Sequence, residues 1–263
     1  MAAVFVAALG MMSASLLAAP APPAAVLTPE QITKLLEDGT NILNSGNAEL
    51  ALKNFFEPVN QSFMRQTAKA GAYDEIYASH SPTETAAYTA KVAKENEGAA
   101  KPVTLVTVDG AWTDALVLKA RALAKLTRFS EAMSALNQAT TLSPAYPPVW
   151  LEMGSIFKDQ KDWERSFKAY KTAENDAGAI EDKTKQSEAL ASALRGQALA
   201  MIELGRLDDA ETLFKRCLKM NPADTAATDG LAQVQARRAT SATAAGAAAP
   251  AAPAAPPPAP STR

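Results

Sequence analysis

One spacing governs what this chain can become. The small residues Ala132, Ser166 and Ala210, each early in an apparent second helix, are separated by 34 and then 44 positions. The segments around them align as ALVLKARALAKLTRFSEAMSALNQATTLSP, VWLEMGSIFKDQKDWERSFKAYKTAENDAG and SALRGQALAMIELGRLDDAETLFKRCLKMNP. The longer interval is one period with ten residues inserted. A 34-residue unit is the length of a helix–turn–helix pair, and such a pair cannot bury its apolar face alone. Its core has to come from stacking on neighbouring copies.

The sizes of the recurring residues follow from that stacking. Where two helices cross, one side must be small so that the backbones approach, and large side chains fill the space above and below. The second segment carries Trp150, Met153, Gly154 and Phe157, then Ser166, Tyr170 and Ala173. The first carries Leu116, Ala120 and Leu123, then Ala132, Leu136, Ala139 and Pro144. The third carries Leu194, Ala198 and Met201, then Ala210, Phe214, Cys217 and Pro222, with Gly205 in the turn. This pattern resembles the tetratricopeptide repeat (TPR) family. The resemblance implies an all-α solenoid of helical hairpins, wound as a right-handed superhelix, that binds another protein or peptide in a concave groove lined by the first helices.

The expected organisation is an array over 112–238, with repeats at 113–146, 147–180 and 191–224. The region 29–111 holds one degenerate hairpin over 32–65, in which Leu35, Gly39, Ile42, Ala51 and Phe55 take the repeat's slots and Ser45-Gly46 its turn. Pro58 predicts a kink or early stop in its second helix. Between Gln66 and Ala111 no repeat is visible. Thr83 to Glu97 reads as a helix capped by Ser81 or Thr83, with Ala87, Ala90 and Val92 turned inward. Lys101 to Gly110 reads either as an extended segment, from its β-branched residues, or as a degenerate second helix. Ala179 to Ser187 is charged and either lengthens a first helix or forms a surface loop. Thr225 to Arg238, with Ala227, Leu231 and Val234 at helical spacing, is expected to cap the array.

The ends have a different character. The stretch from Met1 to Pro29 has no charged side chain, and the first is Glu30. Residues 1–28 resemble a secretory signal peptide, AAVFVAALGMMSASLLAA followed by small residues and prolines, with cleavage expected around Ala19 to Ala25. An uncleaved N-terminal anchor is the alternative, and membrane contact is expected only if that helix is retained. The expected location is periplasmic or secreted. Residues 239–263, an Ala/Pro tract, are expected to be a disordered tail.

Little points to chemistry. The formal net charge is −2 and the pI about 5.6, so no positive field invites nucleic acid. One histidine, His80, and one cysteine, Cys217, give neither a disulfide nor a metal-ligand set, and no cofactor loop or nucleophile motif is present. His80 reads as a surface or capping residue, and Cys217 as a buried thiol in a small-residue slot. Trp150 and Trp163 fit the repeat; Trp112 does not and is held as a candidate interface residue. The rival readings are an enzyme, which would require His80 and several carboxylates to converge in a pocket, and a structural subunit of an envelope assembly.

On the resemblance, the inward faces of the first helices supply the partner-binding candidates. These are Asp114, Val117, Arg121 and Lys125; Leu151, Glu152, Ser155 and Lys158; and Arg195, Leu199, Ile202 and Glu203. The Lys/Asn/Arg clamp by which some family members hold a C-terminal carboxylate is not supplied at these positions, which disfavours a co-chaperone role.

Overall fold

A computed structural model describes residues 26–72 and 74–247. Residues 1–25 of the expected signal segment and residues 248–263 of the expected tail lie outside them. Among the described residues, no helix is long and apolar enough to cross a membrane.

The first hairpin opens with α1 (Pro29–Asn44). A reciprocal cap starts it: the Thr28 hydroxyl accepts the Gln31 N–H at 3.3 Å, and the Gln31 side chain accepts the Thr28 N–H at 2.9 Å. The returning helix comprises α2 (Ala48–Ala51), a π turn over Leu52–Phe56 and α3 (Glu57–Gln66). Of the two outcomes expected at Pro58, a kink or an early stop, the stop does not occur: the helix runs on through a π turn. The wide turn ahead of the proline, closed by the Glu57 N–H on the Leu52 carbonyl, accommodates the missing donor and the ring.

The array follows: α5 (Ala111–Lys125) with α6 (Phe129–Leu142), α7 (Pro147–Asp159) with α8 (Trp163–Asp176), α9 (Lys183–Glu203) with α10 (Leu207–Met220), and then α11 (Thr225–Ala247). Each helix packs on the next in sequence order, and the first helices also pack on one another, α5 on α7 and α7 on α9. All four hairpins turn in the same way. A residue at positive φ (Gly46, Thr127, Lys161, Gly205) is followed by one whose N–H returns to a carbonyl five residues back. Those bonds are Asn47 to Ile42 at 3.1 Å, Arg128 to Leu123 at 2.9 Å, and Asp162 to Phe157 and Arg206 to Met201 at 2.8 Å. This is the Schellman closure, which satisfies carbonyls at the end of the first helix. Helix α11 is longer than expected and takes in residues 239–247, assigned by sequence to the tail; alanine sustains the helix there.

Tyr170 shows why small residues recur. A Cβ added to Gly154 on α7 would lie 2.9 Å from its ring, and one added to Gly196 on α9 would lie 2.5 Å away. One ring thus fills the gap between two helices that only glycine lets approach. Cys217 is fully buried on α10 and packs with Leu194 and Ala198 of α9.

Between the first hairpin and the array lies a βαβ unit: β1 (Asp74–Ser79), α4 (Pro82–Glu95) and β2 (Thr104–Asp109). The strands pair in parallel, from Asp74 opposite Thr104 to Ser79 opposite Asp109. Lys101 to Gly110 is thus extended over its β-branched run, and β1 was not foreseen. One sheet face, with Ala78 and Val108, joins the main core, and the other holds Tyr77, stacked on Tyr88 of α4 at 4.5 Å. Ser81 caps α4, its hydroxyl accepting the Glu84 N–H at 3.2 Å. Tyr88 and Val92 face inward, whereas Ala87 and Ala90 are exposed, because the bulky residues are the ones that cover the sheet.

Candidate functional site

The two departures from the 34-residue period meet in space. The ten residues inserted before the third repeat extend α9 at its N-terminal end, making it 21 residues long where α5 has 15 and α7 has 13. The loop before it brings Glu181 against the start of α4, where hydrogen bonds from Thr83 and Ser81 hold its carboxyl below the usual range. The βαβ unit and the overhang of α9 thus face each other across the first turns of α5 and α7.

His80, immediately after β1, joins the βαβ unit to the array. Its Nδ1 is 3.3 Å from Glu84 Oε2 on α4, and its Nε2 is 3.4 Å from Asp114 Oδ1 on α5. The Tyr146 ring stacks on the imidazole at 3.7 Å, and the Tyr146 hydroxyl donates to the same Asp114 oxygen at 2.8 Å. The other side is closed by Gly110, whose N–H donates to the Ser79 carbonyl at 2.8 Å; a side chain there would run into the imidazole. Burial pushes the His80 pKa down, but hydrogen bonds and charge from Asp114 and Glu84 outweigh it and raise the value to about 9. His80 is therefore an imidazolium at neutral pH. The residue is solvent-exposed, as expected from the sequence, but it is more than a cap: its ring nitrogens face carboxylates on two different elements.

Beside this junction opens a cleft of about 1150 Å³. Its apolar lining comes from Ala111, Ala145, Pro147, Pro148, Leu151 and Ile180. Six carboxylates (Glu84, Asp109, Asp114, Glu181, Asp182 and Glu188) line it, against three cations (His80, Arg121 and Lys185). Two of these cations are already engaged: His80 as above, and Arg121 through its Nε, 2.8 Å from Glu152 Oε2. Asp182 caps α9, accepting the Thr184 and Lys185 N–H groups at 2.9 and 3.1 Å. Glu188 projects from α9 and is exposed.

The groove candidates divide unevenly. Asp114, Arg121 and Leu151 line the cleft. Val117 is 4% exposed and Ile202 2%, so both are core residues, packed by the neighbouring helices. Glu152 is also buried, as the counterion of Arg121 between consecutive first helices. Arg195 is tied to Asp224, whose carboxylate caps α11, at 2.6 Å. Glu203 pairs with Arg237 on α11, and Lys158 with its neighbour Asp159. Lys125 and Leu199 are exposed, and Ser155 is half-buried beside Tyr170. Trp112 is not an interface residue: it is 4% exposed, stacks on Phe63 at 5.4 Å and donates its indole N–H to Asn60 at 3.0 Å. The sequence drew attention to His80 without its partners, and gave no sign of Tyr146, Lys185 or Glu188. The available signal was the pairing of two insertions, one with the lone histidine and the other charged.

Comparison with known proteins follows the same repeats. The tetratricopeptide repeat family model matches residues 113–146 and 192–224. No curated protein matches the chain. Among solved structures, pilF of Pseudomonas aeruginosa superposes with a TM-score of 0.52 at 12% identity, over 82% of this chain and 73% of that one. A thermophilic TPR protein of Thermus thermophilus gives a TM-score of 0.40 at 17% identity, over 78% of this chain and 98% of that one. BtubC from P. vanneervenii gives 0.41 at 15% identity, over 89% and 98%. Repeats of this family generally act as protein–protein interaction scaffolds. Hairpins in sequence order, four like turns and two recognised repeats establish the fold of this chain as an all-α, TPR-type helical-hairpin solenoid.

Proposed function

We propose that this chain is a non-enzymatic scaffold that holds a segment of another protein in the cleft between the βαβ unit and the overhang of α9. One observation carries this reading: both departures from the repeat converge on a single hollow, with apolar lining and charged walls. His80 and six carboxylates do share this pocket, which is the convergence an enzyme would require, but the ring's contacts speak against its use as a base. A general base needs a free lone pair, and both nitrogens of His80 face carboxylates within 3.4 Å. The excess of carboxylates likewise disfavours nucleic acid. We further propose export, on the charge-free stretch from Met1 to Pro29; N-terminal sequencing of the mature protein tests it, with an intact Met1 as the contrary result.

A photo-crosslinking amino acid placed at Glu188 tests the cleft against the same group at Asn137, exposed on α6. The expected result is one discrete adduct from Glu188 that is missing from Asn137. Equal capture at both positions, or none at Glu188, would contradict the reading.

A further inference from the structure

Among the described residues, the sheet of the βαβ unit has an open edge along β2, and one bond sets the parity of its backbone groups. The Ser79 carbonyl accepts the Gly110 N–H, so Ser79 faces β2. Backbone groups alternate along a strand, so Tyr77 and Glu75 face β2 as well and Ala78 faces away. Consistently, the Ala78 carbonyl is taken on its far side by the Ser143 hydroxyl at 2.7 Å. By the same register, Thr104, Val106 and Val108 face β1, whereas Leu105, Thr107 and Asp109 turn their N–H and C=O groups outward. Among the described residues, no bond to those outward backbone groups is present.

One rung earlier, the edge already shows what it accepts. The side-chain amide of Asn96 takes the Val103 N–H at 2.7 Å and donates to the Val103 carbonyl at 2.9 Å. That is the pair of bonds a third strand's peptide group would make. The next rungs, at Leu105 and Thr107, have no such cover. The usual guards of an edge are also missing: Thr104 to Val108 contains no lysine, no proline and no charge, and Thr107 is exposed. At its far end the strand delivers Asp109 into the acidic cleft.

We infer that the partner is recognised as an extended segment that adds to β2 as a third strand and carries basic residues where it enters the cleft. This rests on the cleft reading above and names its occupant. Main-chain bonds to Leu105 and Thr107 fix the strand. Charge complementarity with Asp109 and Glu188 fixes its direction and the sign of its side chains.

The test is amide hydrogen exchange on the full chain, with a synthetic probe of about eight residues, the span of an ordinary strand, alternating valine and threonine and ending in two arginines. A copy N-methylated on alternate amides is the control. Leu105 and Thr107 should exchange freely alone and slow by roughly tenfold or more with the probe, but not with the methylated copy. Thr107→Pro should abolish the protection without lowering Tm, because the lost N–H faces outward; Val106→Pro should lower Tm, because its N–H serves the ladder. Changes confined to Glu188 and Ser192 would overturn the strand while leaving the cleft reading intact. Edge protection with a silent cleft would leave the strand and remove the cleft. No protection at all, or protection that grows with the chain's own concentration, would overturn the inference, the latter in favour of a second copy.

Discussion

His80 Nε2 stands 3.4 Å from Asp114 Oδ1, and this contact ties the βαβ unit to the first helix of the array. Asp114 and Glu84 favour the imidazolium over the cost of its partial desolvation, so the tie depends on pH. The folded-state pKa of about 9 exceeds the ordinary 6.5. The stabilisation is therefore fully present below about pH 6.5 and is lost as pH rises through 9. Thermal denaturation between pH 6 and 9.5 should show stability falling across that window. His80→Gln should be less stable at pH 6 and nearly flat over the same range.

Glu174 on α8 sets the opposite limit. It accepts from Gln197 on α9 at 2.9 Å and pairs with Arg216 on α10 at 2.6 Å. Burial opposes its charge, but hydrogen bonds from Lys171, Gln197 and Arg216 outweigh that and bring its pKa down to about 2. This contribution is present above about pH 4.5 and is lost as pH falls toward 2. Glu174→Gln should cost about 1–3 kcal/mol at pH 7 and remove part of the acid sensitivity. Urea titrations at pH 7 and pH 3 read both.

The hairpin turns offer a stabilising change. Thr127 and Lys161 hold φ near 60°, where Gly46 and Gly205 sit in the other two hairpins. A β-branched residue is strained there, and more so than a lysine. Thr127→Gly should raise stability by about 0.5–1 kcal/mol, with Lys161→Gly giving less, since added unfolded-state freedom offsets part of the gain. Gly205→Ala should lower it by a similar amount. Chemical denaturation of the three variants checks the order.

Gly196 is a packing test. Because an added Cβ would lie 2.5 Å from the Tyr170 ring, Gly196→Ala should destabilise by about 1–3 kcal/mol despite alanine's better helix propensity. Tyr170→Leu should recover part of that loss in the double variant, and a double-mutant cycle measures the coupling.

The array was legible because one residue, small or large, decides each helix crossing, and those positions repeat at a fixed interval: Ser166 was placed by the spacing, and Gly154 and Tyr170 by the resemblance to the tetratricopeptide pattern. The cleft was not. Its parts come from sequence that breaks the period, and no pattern along the chain says that His80 and Glu181 converge on the start of α4. The groove list failed at Val117 and Ile202 because helical phase alone does not tell which inward face a neighbouring hairpin covers. Arg121 and Arg195 looked like free binding groups, yet each completes an ion pair between helices. A charge reversal at either would report on stability before it reported on binding.

The most direct test of the cleft as the binding surface is the affinity of the partner captured at Glu188, purified and titrated against Glu188→Arg and Leu151→Asp chains of unchanged helical content. Each variant should bind with a Kd weaker by at least roughly tenfold, and Glu188→Arg should also show a smaller salt dependence. Wild-type affinity in both variants would contradict the cleft assignment.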